Sequence, residues 1–290
     1  MKRNDPATVI LLASCADRSG LVREIARFVH EQEGNIVHLD QHVDHRDKRF
    51  FIRVEWEISK GTAGGAVDAL AEAFKEIGGA RGMDWSLHGS AARPRLAIFV
   101  SKEPHCLYDL LSRHASGELA VEVPLVVSNH DDLRPVAERF GIPFHRFAIS
   151  AEDKAGQERA EQQLLEENRI DTVVLARYMQ ILSAEFCARY VGRAINIHHS
   201  FLPAFAGARP YHQAYERGVK VIGATSHYVT SDLDEGPIIA QDVTPVSHRQ
   251  SVSELIRIGR DLEKNVLARA VRAHCEHRVI IHDGRTVVFE

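Results

Sequence analysis

The chain has 290 residues, 26% of them charged and 44% hydrophobic, with a net charge of −4. That length favours two compact domains, and the near-neutral balance excludes a protein that holds nucleic-acid phosphates by charge. No apolar run approaches the roughly 18–20 residues that span a bilayer, and Met1-Lys2-Arg3-Asn4-Asp5-Pro6 leads into no secretory core.

The first ninety residues alternate between strand and helix patterns. Thr8–Ala13 is a short apolar strand, and Asp17-Arg18-Ser19-Gly20 is a turn whose Asp and Ser can cap a following helix. Leu21, Ile25, Phe28 and Val29 recur at helical spacing, and Gly34-Asn35 ends that helix where a left-handed residue is needed. Strands follow at Ile36–Asp44 and Arg49–Ile58, the second with only loose alternation. Ala66–Ile77 places Val67, Leu70, Phe74 and Ile77 on one helical face, and Met83–His88 can close the sheet. The order is that of a ferredoxin-like βαββαβ domain over residues 1–89. Ser90-Ala91-Ala92-Arg93-Pro94 reads as a linker, and a second domain is expected over 95–290.

In the second part, Leu96–Val100, Val121–Ser128 and Thr172–Leu175 are nearly continuous apolar strands. Helices are expected around Leu107–Leu111, Leu133–Phe140 and Glu152–Asn168, with a long one at Val252–His274. Apolar strands separated by helices indicate a Rossmann-like α/β domain with a parallel sheet covered on both faces. Ligands of such sheets sit at the carboxyl ends of the strands. The residues after Leu175 and Ile195 are therefore the first to inspect.

Cys15, Cys106, Cys187 and Cys275 lie more than 80 residues apart. That spacing excludes CxxC motifs and makes the reducing cytoplasm the expected compartment. Seventeen histidines are unusual, because histidine titrates near neutral pH and serves acid–base chemistry or metals. Asn196 and His198 leave a strand end on one face, since strand side chains alternate. An amide and an imidazole there could hold a carbonyl oxygen that gains charge. The acidic loop Thr230–Pro237 follows the strand Val221–Val229, and a carboxylate in it could orient His198 and organise a water. An ordinary strand-end turn and an ordinary acidic loop fit the same residues. His38, Asp40, His42 and Asp44 share one strand face, which a solvated surface explains better than a metal site. His274 and His277 fall at a helix end, where positive charge suits the dipole.

Resemblance narrows these options. Asn196-Ile197-His198 with Ser200-Phe201-Leu202-Pro203, then Gly223–Val229, then Leu233-Asp234-Glu235-Gly236-Pro237, closely resembles the folate-dependent formyltransferase fold over about residues 95–282. The resemblance implies catalytic roles for Asn196, His198 and Asp234. It places a folate pocket on Arg177, Tyr178, Met179, Gln180, Ile181, Leu182, His227, Thr230, Ser231, Asp232 and Leu233. Ser101–Leu110 contains Pro104 and no glycine, so it lacks the phosphate loop of the ribonucleotide transformylases. That segment, His198-His199-Ser200-Phe201-Leu202-Pro203-Ala204-Phe205, Ser128–Leu133 and Pro210–Tyr215 resemble the formyltetrahydrofolate deformylases instead. The first domain resembles an ACT domain through Asp17–Val22 and Gly34–Ile36, with Asp17, Gly20 and Asn35 as regulatory candidates. What the resemblance implies is hydrolysis of 10-formyltetrahydrofolate, supplying formate for purine synthesis and balancing the one-carbon folate pool. It calls for folate substrate and water, no cofactor and no metal. It also implies an amino-acid effector at the ACT domain and a homo-oligomer, with neither nucleic acid nor membrane as a partner. Two other readings remain at this point: a transferase that formylates an amine, and an amino-acid sensor with a vestigial catalytic half.

Overall fold

The computed structural model describes residues 7–58, 66–148, 153–204 and 209–290. The expectations at Met1–Pro6, at Glu152 and at Phe205 lie outside the described residues. The chain divides into two compact units, residues 1–93 with 276–282 and 287–290, and residues 94–275 with 283–286.

The first unit runs β1 (Thr8–Ala16), α1 (Leu21–Glu31), β2 (Asn35–Asp44), β3 (Arg49–Glu57), α2 (Ala66–Arg81) and β4 (Asp84–Gly89). Its antiparallel sheet has the order β2-β3-β1-β4, as the βαββαβ reading requires. Ile25, Phe28, Phe74 and Trp56 pack under one face of the sheet. On the other face, Leu12 and Phe51 pack with Phe289. Strand β3 is therefore covered on both sides, which is why its sequence alternates so loosely. The same packing corrects the expectation that the second domain runs on to residue 290. Residues 276–282 and 287–290 belong with the first unit, and buried Arg53 donates from Nε to the His277 carbonyl at 3.0 Å.

Two details at the ends of α1 also differ from expectation. Gly20, with φ +92°, caps the helix, and neither Asp17 nor Ser19 supplies a side-chain cap. At the other end the left-handed residue is Glu33, φ +55°, not Gly34. Gly34 answers a different need: a Cβ there would stand 2.5 Å from Trp56 Cδ1.

The second unit contains β5 (Arg95–Val100), α3 (His105–Ser116), β6 (Glu122–Ser128), α4 (Arg134–Arg139), β7 (Phe144–Arg146), α5 (Lys154–Glu167) and β8 (Thr172–Leu175). It continues through α6 (Ala184–Arg189), β9 (Ala194–His198), α7 (Pro210–Glu216), β10 (Val221–Tyr228), β11 (Ile238–Pro245) and α8 (Val252–Cys275). A hairpin, β12 (Val279–His282) and β13 (Arg285–Val288), ends the chain. The sheet order is β11-β10-β9-β8-β5-β6-β7. From β9 to β7 the strands are parallel, whereas β10 pairs antiparallel with both β9 and β11. The expectation of an all-parallel sheet is corrected at that edge. The antiparallel pairing matters for the site, because it sets His227 directly opposite Asn196. His274 is also more than a helix-end charge, since its ring bonds Thr172 and Tyr228 and so ties α8 to β8 and β10. Among the described residues no helix is long and apolar enough to cross a membrane.

Candidate active site

The carboxyl ends of β8 and β9 open on a cavity of about 320 Å³. Asn196 and His198 point into it from alternate positions of β9, and His227 enters from the neighbouring strand β10. Residues on one face of an antiparallel pair that stand opposite each other are in reach of contact. Asn196 Nδ2 accordingly lies 3.2 Å from His227 Nε2. His227 Nδ1 is 2.9 Å from the carbonyl of Tyr228, an acceptor only, so Nδ1 carries the proton and Nε2 accepts from Asn196. Burial holds the His227 pKa below its ordinary value and keeps the ring neutral. One Asn196 amide hydrogen is thereby fixed on His227, and the second is left for the cavity.

The loop after β10 brings in the carboxylate. Asp234 adopts φ +59°, and Gly236 follows where a Cβ would collide with the Tyr228 carbonyl. This close pass returns the loop to the strand end and sets Asp234 Oδ1 3.2 Å from His198 Nδ1 and 3.8 Å from His227 Nε2. The hydrogen bond from His198 holds the Asp234 carboxyl below the usual range. With Nδ1–H turned to Asp234, His198 Nε2 is buried in the cavity wall without a hydrogen-bond partner. Neutral His198 therefore offers a lone pair at Nε2 and becomes a donor there only when protonated. This narrows the expectation of two N–H donors: in this tautomer Asn196 alone has an N–H left for the cavity.

Every predicted pocket residue lines the same cavity, Arg177–Leu182 from the loop after β8 and Thr230–Leu233 from the loop after β10. Their contributions differ. Met179, Ile181 and Leu233 are exposed at its rim. The Tyr178 ring is turned into the core, edge-on to Phe99, and its hydroxyl donates to Glu161 at 3.2 Å. His199, also in the wall, has its pKa pushed down to about 3 by burial, with Arg177 and His198 adding to the effect.

Sequence reasoning passed over the groups that hold these loops. Glu158 and Glu161 sit on the buried face of α5. Glu158 accepts from the Ser183 backbone N–H at 3.0 Å, and Lys154 donates to the Ile181 carbonyl. Behind Arg177, Glu263 of α8 accepts from Tyr211 Oη at 2.6 Å and lies 2.8 Å from His105 Nε2. A signal for Glu263 was present, because it falls on the apolar stripe of Leu255, Gly259, Val266 and Ala270. Of the regulatory candidates, Asp17 and Gly20 lie in the exposed turn before α1, and exposed Asn35 contacts Glu57 Oε2 at 3.4 Å. On the strand face of His38, Asp40, His42 and Asp44, Arg53 Nη1 stands 3.4 Å from the His38 ring.

Residues 94–271 match the family described as formyl transferase. The chain is 52% identical to a formyltetrahydrofolate deformylase of Synechocystis sp. over 97% of its length and 98% of that protein. A Bacillus subtilis protein of the same name is 47% identical over 96% of this chain and 93% of its own. The crystal structure of a formyltetrahydrofolate deformylase from Pseudomonas syringae pv. tomato superposes with a TM-score of 0.95 at 45% identity, covering 100% of this chain and 96% of that one. With a formyl transferase domain and a βαββαβ unit ahead of it, the chain belongs to the formyltetrahydrofolate deformylase family.

Proposed function

We propose that the protein hydrolyses 10-formyltetrahydrofolate to tetrahydrofolate and formate, with Asn196, His198 and Asp234 as its catalytic residues. The observation that carries the reading is His198: Nδ1 pairs with Asp234, while Nε2 is buried without a hydrogen-bond partner, and the residue lines the cavity. Water attacks the formyl carbon while His198 Nε2 takes its proton, and Asp234 stabilises the resulting imidazolium. Negative charge gathers on the formyl oxygen, where the free amide hydrogen of Asn196 and the protonated His198 donate to it. The C–N bond then breaks as the same imidazolium returns its proton to N10. Met179, Ile181 and Leu233 supply apolar surface for the pterin ring, and the backbone of Arg177–Leu182 and Thr230–Leu233 frames its polar edge.

The folate is the substrate, and this mechanism uses no metal or cofactor. The reading extends to a homo-oligomer and to the cytoplasm, the latter supported by the wide spacing of Cys15, Cys106, Cys187 and Cys275 along the chain. It also extends to an amino-acid effector near Asp17, Gly20 and Asn35. Adding glycine or methionine to the assay tests the effector: a change in rate that Gly20→Ala removes supports it. For the reaction, purified protein is incubated with 10-formyltetrahydrofolate, with and without an amine acceptor. Formate release independent of acceptor is the expected result. Loss of the formyl group only with acceptor present would make the protein a transferase.

A further inference from the structure

Arg177 is unusual in three ways. It follows β8 with φ +64°, a left-handed conformation that is uncommon for a residue with a Cβ. Its side chain is only 13% exposed, with Nε 3.4 Å from Glu263 Oε2. Nε and Nη1 are both buried; Nε makes the ion pair with Glu263 but no hydrogen bond, and Nη1 has no hydrogen-bond partner among the described residues. Buried guanidinium donors left unpaired are costly. A strained backbone and an orphaned buried donor at one position point to a ligand that completes it.

The surroundings fix the sign of that ligand. Glu263, 1% exposed, is already committed, with Tyr211 on Oε1 and with His105 and Arg177 on Oε2. Burial alone would raise its pKa, but those hydrogen bonds and the Arg177 charge together hold it low. Ligand atoms of His105, Cys106 and Glu263 lie within 4.8 Å of one another, which by residue type suits a metal. The guanidinium on the same carboxylate opposes a second cation there. The unsatisfied Arg177 Nη1 is a donor and demands an acceptor. Arg177 lines the cavity together with His198 and His199.

We propose that Arg177, braced by Glu263, is a binding site for a small planar monocarboxylate, the formate product, at the His198 side of the cavity. The identity of the anion rests on the deformylase reading; the site itself rests on Arg177. The formyl group enters as part of a neutral amide. As the water oxygen bonds to carbon and the C–N bond breaks, N10 gains a proton and the acid loses one to solvent. Only then does a carboxylate exist, so the fixed Arg177 guanidinium receives the product in preference to the substrate. Formate is therefore a product inhibitor that acts at Arg177.

The test titrates isotope-labelled formate into the full-length protein without folate, followed by NMR line width. Saturable binding is expected for the wild type and for Asp234→Asn. Binding weakened at least about tenfold is expected for Arg177→Gln. Absence of saturable binding in the wild type, or unchanged affinity in folded Arg177→Gln, overturns the site. If Arg177→Gln does not fold, the wild type still decides. Nitrate, planar and anionic, should displace formate while methylammonium does not, and failure of nitrate to compete overturns the proposal. Normal hydrolysis without formate binding removes the subsite alone. Formate binding without hydrolysis supports the anion site and removes the folate reading.

Discussion

The two units bury different things. In the first, the interior is apolar almost throughout, built on Trp56, Phe74, Phe28 and Ile25, with Ser14 and Arg53 its buried polar residues among those described. In the second, His198, His199, His227, Glu158, Glu161 and Glu263 are all buried. Taking titratable groups out of water is costly unless each is paired or neutral. Here the carboxylates are hydrogen-bonded, and His199 and His227 are held neutral. The contrast separates a region shaped for packing from one that accepts electrostatic cost around a cavity. Substitutions in the second unit should therefore change chemistry and pH response, and those in the packed interior of the first should change stability alone.

The largest effect is expected at Asp234. Asp234→Asn keeps the shape but removes the charge that stabilises protonated His198, and the turnover number should fall about 10⁴-fold, or about 5.5 kcal/mol, with the melting temperature nearly unchanged. Steady-state formate release on folded protein checks it, and near-normal turnover would sink the role of Asp234. Next comes the acid response of His199. Its pKa is about 3 in the folded protein and near 6.5 when unfolded, so between these values the unfolded chain binds more protons. Stability from this group is complete above pH 6.5 and is lost as pH falls towards 3, with an upper bound of about 5 kcal/mol. Urea midpoints measured from pH 4 to 7 should drop steeply in the wild type and less steeply in His199→Gln. Equal slopes would show that His199 is not the group responsible. Asn196→Ala ranks third, because it deletes one donor of the proposed oxyanion site: turnover should fall about 10²–10³-fold, or roughly 2.7–4 kcal/mol. A variant that weakened substrate binding and spared turnover would assign Asn196 to the folate instead.

Local patterns in the sequence carried what depends on period and type. Alternation put Asn196 and His198 on one face of β9, and helical spacing found the core of α1 and α2. What escaped was set by partners distant in sequence. The antiparallel direction of β10 decides that His227 meets Asn196, and no residue within β10 announces it. Three-residue β7 is too short to carry a period. Glu158, Glu161 and Glu263 read as ordinary helix charges until the loops they hold are folded against them. The tail that covers β3 lies more than two hundred residues away from it in sequence.

The smallest predicted effects test the first unit at one turn, where two neighbouring residues have exchanged the roles their types suggest. Glu33 takes the left-handed conformation at φ +55°, and Gly34 lies against the Trp56 indole and Val29. Gly34→Ala places a Cβ 2.5 Å from Trp56 Cδ1 and 2.8 Å from Val29 Cγ1. The fully buried ring cannot yield cheaply, so the cost should be about 1–3 kcal/mol of overpacking. Glu33→Gly should act in the opposite sense, relieving left-handed strain for a gain of no more than about 1 kcal/mol, offset by added freedom in the unfolded chain. Denaturant midpoints with Trp56 fluorescence measure both, and formate release per folded molecule should stay level. If Gly34→Ala proved neutral, the close approach to Trp56 would not be what selects glycine. If it lowered turnover in protein that remained folded, the division between a packing unit and a chemical unit would fail at this turn.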